Sequence, residues 1–148
     1  MNKPLFLILT LLGAFSAYAQ KYPPNSVDLR ASYCVAFHKN VLSQNLPILA
    51  DAKKYTELYG GDWYEVVKSS TASSENDFSR LQSYMLPRIK FLDAEALILA
   101  TQQFSKDHKF LNLCQSKCSE LECFNQCATS TGYKERATLC MNLNWIPF

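Results

Sequence analysis

The feature that most constrains this chain is a set of six cysteines that follow a stretch typical of an export signal. The N-terminus has one basic residue, Lys3, then an apolar run over 4–15, then Ala17-Tyr18-Ala19, with small residues at the positions that precede a cleavage site. A retained membrane anchor would need about 20 apolar residues, more than this run supplies. We therefore interpret residues 1–19 as a signal peptide and residues 20–148 as one mature domain.

All six cysteines belong to the mature domain, and an exported domain meets an oxidising compartment, so we expect three disulfides. The cysteines are Cys34, Cys114, Cys118, Cys123, Cys127 and Cys140. Two pairs, Cys114 with Cys118 and Cys123 with Cys127, are four residues apart. On a helix such residues have Cβ atoms about 5–6 Å apart, whereas a disulfide needs about 3.5–4.5 Å. Excluding both pairs leaves ten of the fifteen possible pairings.

Among these ten pairings we favour the set that a helical hairpin with its tip at residues 119–122 would produce. Facing turns of the hairpin would be joined by Cys114–Cys127 and Cys118–Cys123, which leaves Cys34–Cys140 to tie the first helix to the tail. The alternative for four clustered cysteines is a zinc site. The oxidising compartment disfavours it, and so does the distance in sequence of His38 and His108 from the cluster.

Length and charge limit the classes of partner. Cleavage after Ala19 leaves 129 residues, a single-domain length, and removing Lys3 lowers the formal net charge from +2 to +1. A nearly neutral chain lacks the basic surface that nucleic acids or anionic lipids require. We therefore expect no nucleic-acid partner, no membrane span after signal cleavage and no cofactor; the oligomeric state stays open.

Helical spacing of apolar residues and the near absence of β-branched alternation predict an all-α fold, a single small helical bundle stapled by disulfides. We predict that Ser26 caps the first helix and that Pro47 kinks or ends it. Gly60 and Gly61 should end a second helical stretch, and Asp93 should cap the helix that leads into the cysteines. Gly132 should mark a break.

One segment is compositionally biased. Residues 69–77 are polar and rich in serine, which predicts a flexible loop between a short helix over 62–68 and a later helix capped by Ser74. Pro87 should then end that later helix. The apolar tail that contains Trp145 and Phe148 should pack against the core near Cys140.

The search for catalytic motifs points away from most enzyme classes. The mature domain has only three glycines, so phosphate-binding loops, dinucleotide fingerprints and nucleophile elbows are excluded. His38 and His108 each fall on an apolar helical face, where a histidine is more often a core or boundary residue than a general base. The cysteines are expected to be oxidised and therefore unable to act as nucleophiles.

An aromatic group surrounds the double glycine and consists of Tyr55, Tyr59, Trp63 and Tyr64. Exposed aromatic residues at a turn could bind a sugar or a partner protein, and we select Tyr59, Trp63 and Tyr64 as candidate partner-binding residues. The sequence by itself favours the simpler interpretation, that these rings pack where two helices change direction, because aromatic residues dominate cores by area.

The second half of the chain resembles a group of uncharacterised exported proteins of proteobacteria. The resemblance rests on residues 80–88 (Arg-Leu-Gln-Ser-Tyr-Met-Leu-Pro-Arg), Phe91-Leu92-Asp93, the cysteine cluster and the ending 145–148 (Trp-Ile-Pro-Phe). It implies a helical, disulfide-bonded envelope protein and brings no active-site residues. In size and kind the chain is also similar to periplasmic immunity proteins that neutralise peptidoglycan-cleaving toxins of type VI secretion.

Three functional hypotheses follow. The first is an exported, non-enzymatic binding protein of the bacterial envelope, periplasmic or secreted, which acts by protein–protein contact as an inhibitor or immunity protein would. The second is a small secreted enzyme or toxin built around His38 or His108. The third is a structural accessory subunit of an envelope complex.

Overall fold

The computed structural model describes residues 21–147, and within this range every regular element is helical, which confirms the all-α prediction. The proposed signal peptide, Gln20 and Phe148 lie outside the described residues. The elements are α1 (Ser26–Ala50), α2 (Ala52–Tyr59), α3 (Gly61–Ile89), α4 (Ala94–Lys117), α5 (Leu121–Thr129), α6 (Tyr133–Met141) and a 3₁₀ turn (Leu143–Trp145). Helix α1 packs along α3 and α4 and also contacts α6.

The first helix begins one residue earlier than its predicted cap implies. Asn25 is the N-cap, and Ser26 is already the first helical residue, so the prediction for Ser26 is wrong. The Asn25 side chain accepts a hydrogen bond from the Asp28 backbone N–H at 2.8 Å, and Asp28 accepts one from the Asn25 backbone N–H at 3.0 Å. This reciprocal capping box satisfies two N–H groups that the helix itself leaves unpaired.

Pro47 and Pro87 both lie inside helices that continue past them. Helix α1 passes through Pro47 and ends at Ala50, after which Asp51 accepts a bond from the Lys54 backbone N–H and starts α2. Pro87 lies inside α3, which continues to Ile89. Both prolines lie in the last turn of their helices, so each removes a single backbone hydrogen bond, to the turn before it, close to where the helix ends.

The predicted flexible loop over 69–77 is wrong, because these residues form the middle of the uninterrupted helix α3. Val67, Thr71, Ser74 and Leu81 are buried at helical spacing along one face. Thr71 also donates its hydroxyl hydrogen to the Val67 carbonyl at 2.7 Å, which satisfies a buried polar group within the helix. Packing of this face therefore overrides the weak helix propensity of serine and threonine.

The cysteine region forms the expected hairpin with a slightly displaced tip. Asp93 caps α4, as predicted, and residues 118–120 connect α4 to α5. Gly132 breaks the chain before α6 with a positive φ of 70°, a conformation that favours glycine. The hairpin and α6 bring the C-terminal third of the chain back onto α1.

All three favoured disulfides are present. They join Cys34 to Cys140, Cys114 to Cys127 and Cys118 to Cys123, with Cα–Cα distances of 5.1, 5.7 and 5.5 Å. Because all six cysteines are paired, none has a thiolate with which to bind zinc. The Cys34–Cys140 bond is fully buried, whereas Cys123 is exposed.

The hydrophobic core occupies one end of the molecule. Its buried members come from α1, α3, α4, α6 and the tail: Ala31, Tyr33, Cys34, Leu81, Met85, Leu92, Leu97, Phe104, Cys140, Leu143 and Ile146. Trp145 packs against this core and donates its indole N–H to the Leu139 carbonyl at 2.8 Å, as expected for the tail. No helix within 21–147 is long and apolar enough to cross a membrane.

The other end of the molecule lacks a core. No residue from Lys39 to Val66 is buried, although this stretch includes half of α1, all of α2 and the start of α3. We call this region the distal end. With little apolar surface buried, its helices are held mainly by their backbone hydrogen bonds and by contacts between α2 and α3.

Candidate functional site

Three aromatic rings pack together at the distal end. The ring centroids of Tyr59 and Trp63 are 4.7 Å apart, and Tyr55 lies 6.2 Å from Tyr59 and 6.3 Å from Trp63. We call these three residues the aromatic cluster. Tyr64, which the sequence also predicts as a partner-binding residue, is half-buried and makes no ring contact with the cluster.

Local chain geometry assembles the cluster. Tyr55 and Tyr59 are one turn apart on α2, so their side chains share a face. Gly60 then takes a φ of 92°, a region that side-chain-bearing residues rarely adopt, and the chain reverses into α3. This turn places Trp63 beside Tyr59.

The aromatic cluster is partly exposed to solvent and has a lysine beside it. Tyr59 keeps 61% of its surface exposed, while Tyr55 and Trp63 are half-buried against each other. The ammonium group of Lys54 lies 5.3 Å from the centre of the Tyr55 ring. Large rigid rings that carry polar tips are well suited to binding another protein, because they bury much area at low cost in side-chain entropy.

His38, a sequence candidate for chemistry, is buried within the core. Its side chain is 2% exposed, and its Nε2 lies 2.9 Å from the Cys140 carbonyl oxygen. A carbonyl can only accept, so Nε2 carries the proton and Nδ1 does not. Nδ1 has no hydrogen-bond partner in the described structure. His38 thus fastens α1 to α6 beside the Cys34–Cys140 disulfide and cannot reach a substrate in solution.

This position predicts that acid weakens the fold through His38. Burial lowers the pKa of His38 below its usual 6.5, and the hydrogen bond to Cys140 and the charge of Asp77 only partly oppose this. Below about pH 6.5 the unfolded chain binds a proton that the folded chain does not. The free energy of unfolding should therefore fall as the pH decreases from 7 to 5, by at most about 1.4 kcal/mol per pH unit.

Urea unfolding of wild type and His38→Gln at pH 7, 6 and 5 tests this expectation. Glutamine keeps an amide donor for the Cys140 carbonyl and does not titrate. The free energy of unfolding of the His38→Gln variant should therefore change less with pH in this range than that of wild type. His108→Gln, the same substitution at the other histidine, serves as the matched control. Equal slopes for wild type and His38→Gln would contradict the assignment.

His108, the second histidine candidate, is half-buried and stacks on Phe104, with ring centroids 5.9 Å apart. The carboxylate nearest to it in the sequence is that of Asp107. In the structure Asp107 turns away into the core and binds other partners, so the two residues do not form a catalytic pair. Over residues 21–147, His38 and His108 make no hydrogen bond or ring contact with each other.

Asp107 is the centre of a buried polar network that sequence reasoning missed. It is 3% exposed and accepts four hydrogen bonds: from Tyr33 Oη at 2.7 Å, Gln103 Nε2 at 2.9 Å, and Arg136 Nε and Nη2 at 2.7 Å each. Burial raises the pKa of Asp107, but the bonds from Arg136, Tyr33 and Gln103 outweigh burial and hold it below its usual value. The carboxylate therefore stays charged and fully occupied.

A second network of the same composition surrounds Asp28 at the start of α1. Arg88 donates to both carboxylate oxygens at 2.9 and 3.3 Å, and Tyr84 donates its hydroxyl at 2.9 Å. Burial raises the pKa of Asp28, but the hydrogen bonds from Arg88, Asn25 and Tyr84 outweigh burial. The pKa of Asp28 is therefore lower than its usual value. In both networks an arginine donates two hydrogen bonds and a tyrosine donates one to a buried carboxylate. The role of each carboxylate is therefore to hold the fold together.

Two apolar grooves flank the N-terminal half of α4. The first has a volume of about 430 Å³ and lies between α1 and α4, with α6 at one end. The second has a volume of about 360 Å³ and lies between α3 and α4. Leu99 lines the first and Ile98 the second, and both are more than half exposed. The sequence shows only an apolar helix start here, without a motif.

No set of three or more histidine, cysteine or acidic side chains in the described part of the chain is arranged to hold a metal ion. The fold and the candidate site together define a small all-α protein held by three nested disulfides, with an exposed aromatic cluster at its coreless end. Comparison with known proteins gives no match to a family model, to a curated protein or to a solved structure. The resemblance to exported proteobacterial proteins therefore stays a prediction.

Proposed function

We propose that this is an exported protein of the bacterial envelope that binds another protein through the aromatic cluster and has no enzymatic role. The observation that carries the proposal is the aromatic cluster at the distal end, in which Tyr59 is 61% exposed and Tyr55 and Trp63 are half-buried. Stacked aromatics that contribute nothing to a core leave apolar area exposed, which is unfavourable unless a partner covers it.

The rest of the molecule supports this proposal. Three disulfides are typical of an oxidising compartment such as the periplasm or the exterior. Both buried carboxylates are saturated by structural partners, and His38 is closed off from solvent. A rigid frame with an exposed aromatic end is the arrangement of a binding module, and the likeness to periplasmic immunity proteins supports an inhibitor as the form of that binding.

The proposal predicts that the cluster carries most of the affinity for the partner. Tagged wild-type protein incubated with envelope extract should retain one partner in equimolar amount, which is then purified for titration. Trp63→Ser and Tyr59→Ser should each weaken binding by about 30-fold, since interface hot spots contribute about 2 kcal/mol or more. Because neither side chain belongs to the core, the core end of the molecule should keep its midpoint of thermal unfolding.

Phe91→Ser is the matched control, because Phe91 is an exposed aromatic residue (53%) that connects α3 to α4 near the core end. It should bind the partner with wild-type affinity. Trp63 fluorescence, followed in a Trp145→Phe background, should shift on complex formation. An extract without an equimolar partner, or a partner that binds the Trp63 and Tyr59 variants as tightly as wild type, would overturn the proposal.

A further inference from the structure

We propose that the groove between α1 and α4 binds a small amphipathic molecule with an aliphatic chain and a single carboxylate, of the medium-chain fatty acid class. This site goes beyond the proposed function, because it lies at the core end and shares no residue with the aromatic cluster. The shape, the lining and the charge of the groove indicate this ligand.

The groove exists because α4 presents small side chains where it faces α1. Ala96 and Ala100 are one helical turn apart on α4, and Leu29 and Tyr33 are one turn apart on α1. Alanines at these positions leave between the two helices a space that larger side chains would fill. A volume of about 430 Å³ falls in the range of cavities that hold small organic ligands.

The lining of the groove is apolar along its length. Leu29, Cys34, Leu99 and Leu139 supply aliphatic or sulfur surface, and Leu99 is 63% exposed. Such surface in contact with water costs about 25 cal/mol for each Å². An aliphatic chain laid in the groove would cover it.

One uncompensated positive charge stands at the rim. Arg30 lines the groove, is exposed, and makes no ion pair or hydrogen bond with any residue over 21–147. Arg136 also lines the groove, but its charge is neutralised by Asp107. An unpaired guanidinium beside an apolar channel matches a carboxylate, which it can bind through two parallel hydrogen bonds.

The groove on the other side of α4 provides an internal comparison. It is also apolar, but its polar residues, Ser32, Gln82 and Thr101, are all uncharged. A ligand chosen only for its aliphatic chain would fit either groove. A ligand that requires a negative charge is favoured only by the first.

Titration of the whole mature protein with decanoate and with decanol, followed by calorimetry and by chemical-shift changes, tests the proposal. Decanoate should bind with one-to-one stoichiometry and about tenfold more tightly than decanol, since a charge-assisted hydrogen bond contributes about 1.5–3 kcal/mol in protected surroundings and less at an exposed rim. Arg30→Gln should remove this preference and leave decanol binding unchanged.

Two leucine variants locate the site. Ala100→Leu fills the first groove and should weaken decanoate binding by more than tenfold while the protein stays folded, since it adds apolar contacts rather than removing them. Ala94→Leu lines the second groove and should leave binding intact. If Ala100→Leu fails to fold, Leu99→Ser provides the same test from the exposed side of the groove.

Three results would each overturn the inference: no saturable decanoate binding, equal affinity for decanoate and decanol, or full binding by a folded Ala100→Leu variant. None of these results affects partner binding through the aromatic cluster, so the failure of one proposal is distinguishable from the failure of the other.

Discussion

Replacing Cys34 and Cys140 together by alanine is expected to lower the free energy of unfolding by about 5 kcal/mol, the largest effect of any disulfide removal here. The bond closes a loop of 106 residues, and the chain entropy that a crosslink removes from the unfolded state grows with loop length. Both residues are also fully buried, so their loss removes core contacts as well. Urea unfolding under non-reducing conditions measures the change.

The other two disulfides provide a graded comparison. By the same loop-length relation, removing Cys114–Cys127 should cost about 3 kcal/mol and removing Cys118–Cys123 about 2 kcal/mol, since their sequence separations are 13 and 5. Alanine pairs at each site, measured side by side, should follow this order. A smaller loss at Cys34–Cys140 than at Cys118–Cys123 would show that loop length does not govern their contributions.

The second large effect is expected at Asp107. Asp107→Ala should lower the free energy of unfolding by about 3 kcal/mol, because it leaves the buried Tyr33 hydroxyl and the partly exposed Arg136 charge without their acceptor. Glu65→Ala is the matched control, since Glu65 forms only an exposed ion pair with Lys68 at 3.6 Å. That variant should change stability by less than about 1 kcal/mol.

The pH dependence of the Asp107 effect gives an independent check. The pKa of Asp107 is lower in the folded chain than in the unfolded chain. The charged carboxylate therefore adds its full share to the free energy of unfolding above the unfolded pKa of about 3.9, and this share is lost as the pH falls toward the pKa of the folded chain. The stability difference between wild type and Asp107→Asn should therefore narrow below about pH 4. A difference that stays constant from pH 6 to pH 2.5 would contradict a charged network.

The disulfide pattern could be predicted because two local facts narrow it and one assumption about the fold selects among the rest. An export signal favours oxidation, and helix geometry disfavours bonds between cysteines four residues apart, which leaves ten pairings. A helical hairpin whose facing turns are joined then leaves Cys34 and Cys140 to pair. Composition misled the prediction at residues 69–77, since a serine-rich segment has low helix propensity by itself. Only the packing of Thr71 and Ser74 in α3, which the sequence does not reveal, holds that segment helical.

The polar networks and the groove lay beyond sequence reasoning for a different reason. Asp107 is separated by 74 residues from Tyr33 and by 29 from Arg136, and no short motif relates them. The vacancy left by Ala96 and Ala100 becomes a groove only when α1 lies opposite α4. The aromatic cluster was largely predictable, since Tyr59 and Trp63 flank a turn-forming glycine, whereas the separation of Tyr64 from it was not.

The three disulfides lie one inside another along the chain, with Cys118–Cys123 innermost and Cys34–Cys140 outermost. On the proposed export route the chain enters an oxidising compartment from its N-terminus and presents Cys34 first and Cys140 last. Pairing in order of arrival would join Cys34 to Cys114 and Cys127 to Cys140, so that only Cys118–Cys123 would be native. Correct oxidation therefore requires either that Cys34 stays reduced until the whole chain has crossed, or that a thiol–disulfide isomerase exchanges the early bonds. Biogenesis of this protein thus depends on the order in which its thiols are oxidised as well as on oxidising power.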